Sequence, residues 1–180
     1  AHLTADPRYN DFFKQAETLL NAKDRIPFGR IRGRYVYNFW RDETNVRGLW
    51  RRATIGEYKK QQPQWEILID VDELAKQENR NWVFHGVECL APENRLCMVS
   101  LSDGGKDAST LREFDLATKS FVTNGFNLPE AKSSVQWIDE ETLLVASDFG
   151  PQSLTESGYP RIIKAWRRGE KLELAEVVLE

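Results

Sequence analysis

Cysteine is nearly absent from this chain, with only Cys89 and Cys97 among 180 residues. Two thiols do not make the disulfide framework on which small secreted domains depend. They flank the turn Ala91-Pro92-Glu93-Asn94 and so fall on neighbouring antiparallel strands. There we expect buried, reduced thiols that behave as small apolar side chains. Histidine is equally scarce, with only His2 and His85. Two cysteines and one nearby histidine are too few, at the wrong spacing, for structural zinc. The carboxylates of Asp70-Val71-Asp72-Glu73 do not follow a calcium-loop pattern. Neither a Gly-x-Gly-x-x-Gly nor a Gly-Lys-Ser/Thr segment is present to cradle a phosphate. No metal and no cofactor is expected.

Long apolar runs are missing too. None approaches the ~20 residues that cross a bilayer, and the stretch from Ala1 to Pro7 lacks the h-region of a signal peptide. The expectation is a cytoplasmic protein with no membrane partner. Nor does one sign of charge dominate. A net charge of −3 gives no general attraction to nucleic acid. The charge is uneven, however: residues 1–60 hold 13 Lys or Arg against seven Asp or Glu, and the remainder holds 12 against 21. A basic first third packed against an acidic remainder accounts for this.

The chemistry of a hydrolase is also missing. An α/β-hydrolase nucleophile sits in Gly-x-Ser-x-Gly. Ser102 precedes Asp103-Gly104-Gly105, but Ser100 and Leu101 stand before it. His2 lies at the terminus and His85 within a strand, so three converging groups of a Ser-His-Asp triad are not available. No catalytic, cofactor-binding or metal-binding residue is assigned.

Aromatic residues, by contrast, are plentiful: six Trp, nine Phe and five Tyr, concentrated in alternating segments that favour strands. One helix is predicted over 6–23, with Phe12, Phe13, Ala16, Leu19 and Leu20 on one face and Asp6-Pro7 at its start. Strands are predicted at Ile31–Trp40, Leu49–Ile55 and Trp65–Val71, with a short helix at Asp72–Asn79. A second set comes next at Trp82–Leu90, Arg95–Ser102, Ser109–Asp115 and Ser120–Thr123, and a third at Val135–Ile138, Thr142–Asp148, Tyr159–Arg167 and Leu172–Val178. Arg30, Arg32 and Arg34 alternate beside Tyr35, Tyr37, Phe39 and Trp40. Such interleaving can bind a nucleic-acid strand, but arginine stems covering aromatic edges explain it equally simply, and the acidic chain favours the second reading. Arg51 and Arg52 read the same way.

The second and third sets repeat one another. Val87-Glu88-Cys89-Leu90 aligns with Val135-Gln136-Trp137-Ile138, 48 residues on, and Leu96 to Ser100 aligns with Leu143 to Ser147, 47 residues on. Four strands recurring at ~40–50 residues are the mark of a propeller blade. The fold class is therefore all-β with a short N-terminal helix: a partial β-propeller of about three four-stranded antiparallel blades. The division is a helical segment at 1–25 and a partial propeller at 26–180, with blades about 31–71, 82–123 and 135–178. Closed propellers need roughly 4–8 blades, so the pattern is that of a piece of a larger fold.

Three blocks carry a resemblance: Arg34 to Arg52, Leu128 to Gly150, and Ser147 to Gly169, the last reading Ser-Asp-Phe-Gly-Pro-Gln-Ser-Leu-Thr-Glu-Ser-Gly-Tyr-Pro-Arg before its strand. Over about residues 6–180 the chain resembles the N-terminal propeller part of prolyl oligopeptidase-family serine peptidases. Asp6-Pro7-Arg8-Tyr9 is a loose echo of the motif Asp-Pro-Tyr-Arg-Trp near the start of family members. The resemblance implies an α/β-hydrolase domain with a Ser-Asp-His triad, capped by a seven-bladed propeller that admits peptides and excludes folded proteins. No position here matches the triad motifs. The expected function is a non-catalytic propeller fragment of such a peptidase, whose partners are the remaining blades, the hydrolase domain and the parent's peptide substrates. The alternative is a stand-alone β-sheet module that binds or scaffolds a peptide or protein. A truncated ring would leave strands such as Tyr35-Val36-Tyr37 and Leu143-Leu144-Val145 uncovered, and apolar patches of a few hundred Å2 seek partners, so a homo-oligomer of the fragment is expected.

Overall fold

A strand presents alternate side chains to its two faces, and in the middle of this chain both faces are apolar. In the computed structural model, which describes residues 3–20 and 26–180, that segment forms the centre of the second of three sheets. The first sheet runs β1 (Arg30–Arg32), β2 (Tyr35–Trp40), β3 (Leu49–Thr54) and β4 (Glu66–Asp70), in that order. The second runs β5 (Trp82–Cys89), β6 (Leu96–Asp103) and β7 (Ser109–Asp115), with β8 (Ser120–Phe121) and β9 (Asn127–Ala131) sharing the outer edge of β7. The third runs β10 (Ser134–Asp139), β11 (Thr142–Ala146), β12 (Ile163–Arg167) and β13 (Glu176–Leu179). All pairings are antiparallel. The sheets stack face to face as three blades of a partial β-propeller.

The second sheet is apolar on both sides. Cys97, Val99, Leu101 and Phe114 pack with Tyr37, Trp50, Leu68 and Val71 of the first blade. Leu96, Met98, Leu111 and Leu128 pack with Trp137, Leu143, Val145 and Trp166 of the third. Trp137 also donates its indole N–H to the Glu88 carbonyl, 3.0 Å away. This arrangement corrects the register of the repeat. Val87 and Cys89 stand opposite Val99 and Cys97, whereas Val135 and Trp137 stand opposite Val145 and Leu143. Equivalent residues on β6 and β11 are therefore Cys97 and Leu143, one place from the alignment drawn from the sequence. A slip of one residue reverses every side chain; only this register keeps both residues facing the preceding blade.

Three helices accompany the sheets: α1 (Tyr9–Leu20), α2 (Ile55–Tyr58) and α3 (Val71–Glu78). The expected helix over 6–23 begins at Tyr9, and residues 21–23 lie outside the described residues. Asp6 accepts from the Arg8 backbone N–H in the preceding turn, and Pro7 precedes the helix. The apolar stripe of α1 is open, with Phe12 61% and Leu19 73% exposed. α3 is capped by Asp70, whose carboxylate accepts from the Glu73 N–H, and ends on Asn79 in the left-handed conformation. Ile31–Trp40 is two strands rather than one, because Gly33 at φ +55° turns the chain between them. α2 and β9 have no counterpart among the elements expected from the sequence. The segment expected as a strand from Tyr159 forms one only from Ile163; before it, Leu154 bridges Pro160 within the long loop. Leu172–Leu174 is a 3-10 turn ahead of β13.

Two further expectations are overturned. Cys89 and Cys97 are joined by a disulfide instead of being free thiols. They are directly opposite on β5 and β6, and the neighbouring pair Leu90 and Leu96 carries the ladder hydrogen bond. That makes theirs the closer, non-hydrogen-bonded pair, where side chains meet. Val36, Tyr37, Leu143 and Val145 are buried, not uncovered: Tyr37, Leu143 and Val145 face the second sheet. Val36 lies under the segment at Gly29, where an added Cβ would come within 2.4 Å of it.

One ion pair ties the second blade to the third. Glu113 of β7 has a side chain 1% exposed and meets Arg168 through two bonds of 2.8 and 3.0 Å. Its Oε2 also accepts from the Phe126 N–H. The break between β8 and β9 makes room for this, since a Cβ at Gly125 would meet Oε2 at 2.6 Å. Hydrogen bonding to Glu113 raises the Arg168 pKa above its ordinary value.

Removing one partner of a buried pair strands the other charge, so Glu113→Ala is expected to cost about 3 kcal/mol of unfolding free energy in urea titrations. A loss under ~1 kcal/mol, the worth of a surface pair, would show that the contact does not hold the blades. For the disulfide, the denatured chain should take up no alkylating reagent until reduced, and then two equivalents; immediate labelling of both cysteines would contradict the bridge.

Candidate functional site

A concavity lies where the first strands of the first two blades face one another. On β1, Arg30 and Arg32 are paired across the ladder with Tyr37 and Tyr35. Tyr37 belongs to the core shared with the second sheet, so both guanidinium groups share its face, where apolar side chains would otherwise sit. Opposite them β5 carries Phe84, His85 and Val87. The result is a cavity of about 580 Å3 with a basic rim.

Its floor is aromatic. Phe39 stacks on Phe84 with ring centroids 4.6 Å apart and planes 11° from parallel, and Trp50 lies 6.0 Å from Phe84. Arg32 donates to Cys89 Sγ at 3.0 Å and to the Val87 carbonyl at 3.3 Å, with its guanidinium 5.7 Å from the Tyr37 ring centroid. Arg30 is exposed, and its side chain makes no hydrogen bond or ion pair among the described residues. Among the described residues no acidic side chain lines the cavity.

His85 stands at a bulge in β5, with its imidazole on the face of the sheet turned to the third blade. β5 pairs Phe84 with Leu101 and Gly86 with Ser100, leaving His85 as an extra residue. Bulges re-aim side chains, and here the imidazole Nδ1 lies 2.9 Å from the Ser109 Oγ. Gly86 inside a strand pattern was the sequence signal for it. Ser109 is buried, and no carboxylate completes the pair among the described residues. The arrangement orients an imidazole; it does not assemble a nucleophile, base and acid.

The other candidates from the sequence have structural occupations. Ser102 is fully buried and donates to the Lys106 carbonyl. Asp70 caps α3, and Asp72 accepts from the Arg47 and Gly48 backbone N–H groups. Among the described residues no three His, Cys, Asp or Glu side chains converge as metal ligands, and no helix is long and apolar enough to cross a membrane. His2 lies outside the described residues. Arg34 stands beyond the Gly33 turn with its guanidinium 5.3 Å from the Tyr35 ring centroid; Arg52 approaches the same ring at 4.3 Å and bonds Glu66. Arg51 is sandwiched between Trp40 and Trp65 at 4.6 and 4.3 Å. Burial lowers the Arg51 pKa to about 10. These arginines cover aromatic rings, as the simpler reading of the sequence holds.

Comparison with known proteins agrees with this architecture. Residues 2–180 match the family described as prolyl oligopeptidase, N-terminal beta-propeller domain. An uncharacterized peptidase of Sinorhizobium fredii is 47% identical over 174 residues, covering 96% of this chain and 24% of that protein. Another, from Rickettsia prowazekii, is 37% identical over 99% of this chain and 26% of its own length. Among solved structures, a post-proline cleaving enzyme from Rickettsia typhi superposes with a TM-score of 0.88 at 37% identity, over 99% of this chain and 27% of the other. Oligopeptidase B from Leishmania major shares the fold at 15% identity and a TM-score of 0.67, over 98% of this chain and 26% of its own. This chain spans about a quarter of the length of the relatives it matches.

Proposed function

Because the chain belongs to the prolyl oligopeptidase N-terminal β-propeller family, we propose that it is the non-catalytic first part of the propeller of a serine peptidase. In this reading the parent hydrolyses short peptides, and the propeller gates their access to a triad carried elsewhere. The match of the whole chain to about a quarter of a post-proline cleaving enzyme is the observation that carries it. The aromatic, basic cavity on the first strands supports a role in contact with peptides. The expected result is that the purified chain hydrolyses no proline-containing chromogenic peptide above background and is not labelled by a fluorophosphonate probe. Labelling of any serine with matching turnover would sink the reading.

The third sheet supports the proposed partner, the remaining blades. Leu144, Ala146, Ile163 and Leu179 fall on the face turned away from the second sheet, and Leu179 is 59% exposed. Apolar faces of this kind seek cover. Alone, the chain should therefore self-associate through this sheet, and Leu144→Lys should reduce the association. Sedimentation of a folded, strictly monomeric species at tens of micromolar would remove the argument.

A further inference from the structure

We infer that the cavity between the first strands of the first two blades is a receptor for the free C-terminal carboxylate of a peptide ending in an apolar side chain. The inference takes peptides as its ligand class from the proposed function, and goes beyond it in naming the part of the peptide that is held and the residues that hold it.

Charge comes first. Two guanidinium groups border the cavity, and among the described residues no carboxylate lines it. Arg52, Arg112 and Arg168 each meet a carboxylate, of Glu66, Glu78 and Glu113. The Arg30 side chain has no bonding partner among the described residues. A guanidinium offers a planar fork of donors that fits a carboxylate with two parallel bonds. Arg32 is already anchored to Cys89 and Val87, so its remaining donors are oriented.

Size and lining fix the rest of the ligand. About 580 Å3 suits one or two residues, within the usual range of small-ligand sites. The walls are Phe28, Phe39, Trp50 and Phe84, so the side chain that enters beside the carboxylate must be apolar. A nucleic-acid strand fits less well. Its bases need open aromatic faces along a groove, whereas Phe39 and Phe84 spend theirs on each other and the chain is acidic overall.

The test is titration of the full chain, its fold verified by near-ultraviolet circular dichroism, with Ala-Ala-Phe as the free acid and as the C-terminal amide. Tryptophan fluorescence reports binding, since Trp50 lines the cavity. The acid should bind at least about tenfold more tightly than the amide, the worth of charge-assisted hydrogen bonds. Arg30→Gln, at an exposed side chain without partners, should erase most of that preference while leaving amide binding unchanged. Arg34→Gln, outside the cavity, should change neither. Equal binding of acid and amide, no binding by the folded chain, or displacement of the peptide by a short oligonucleotide would each overturn the assignment. Hydrolysis plays no part in the measurement. Equal binding would fail this inference and leave the peptidase reading standing; acid-selective binding in a protein whose parent cleaves no peptide would do the reverse.

Discussion

A sheet buried on both faces has no surface to give to water, and the second sheet of this protein is such a sheet. Its strand β6 runs Leu-Cys-Met-Val-Ser-Leu, with alternate members assigned to different cores. Neither core can form unless a neighbouring sheet supplies its other half. Burial of apolar area at ~25 cal/mol per Å2 therefore favours stacking of the blades. The order of blades along the chain then becomes their order in space, since each sheet is made from consecutive strands.

Polar contacts decide how those faces meet. Apolar side chains tolerate sliding, whereas a buried carboxylate does not. Glu113 holds Arg168 and the Phe126 N–H at once, which sets the third blade against the second at one end. Glu78 at the end of α3 binds both the Arg112 guanidinium and the Trp82 indole, joining the interblade helix to the second sheet. Trp137 reaches back to the Glu88 carbonyl, and the Cys89–Cys97 bridge closes the neighbouring hairpin.

Against this order, the first strands of the first two blades stand out. On the facing side of the first blade stand Arg30 and Arg32 rather than aliphatic residues, and the core there opens into a cavity. The neighbouring strand β5 is bulged at His85. Irregularity and unmatched charge are placed together, on strands that the stacking of blades already holds from behind. Stable surroundings with a few convergent polar groups are the usual setting of a ligand pocket.

Alternation, turn residues and the 47- to 48-residue recurrence suffice to read three antiparallel sheets, the N-terminal helix and the family, because these signals are local or repeat along the chain. Gly33 and Gly86 mark a turn and a bulge inside strand patterns, and reading Ile31–Trp40 and Trp82–Leu90 as unbroken strands misses both. Tertiary structure alone decided the rest. Whether Cys89 and Cys97 bond depends on cross-strand register, which two symmetric apolar faces leave open to a slip of one residue. Whether Glu113 is buried depends on Arg168, 55 residues away, and on space beside Gly125. The cavity belongs to two sheets at once, so neither sequence block contains it; it exists because Arg30 and Arg32 share a face with Tyr37 and are brought opposite Phe84 only when the blades stack.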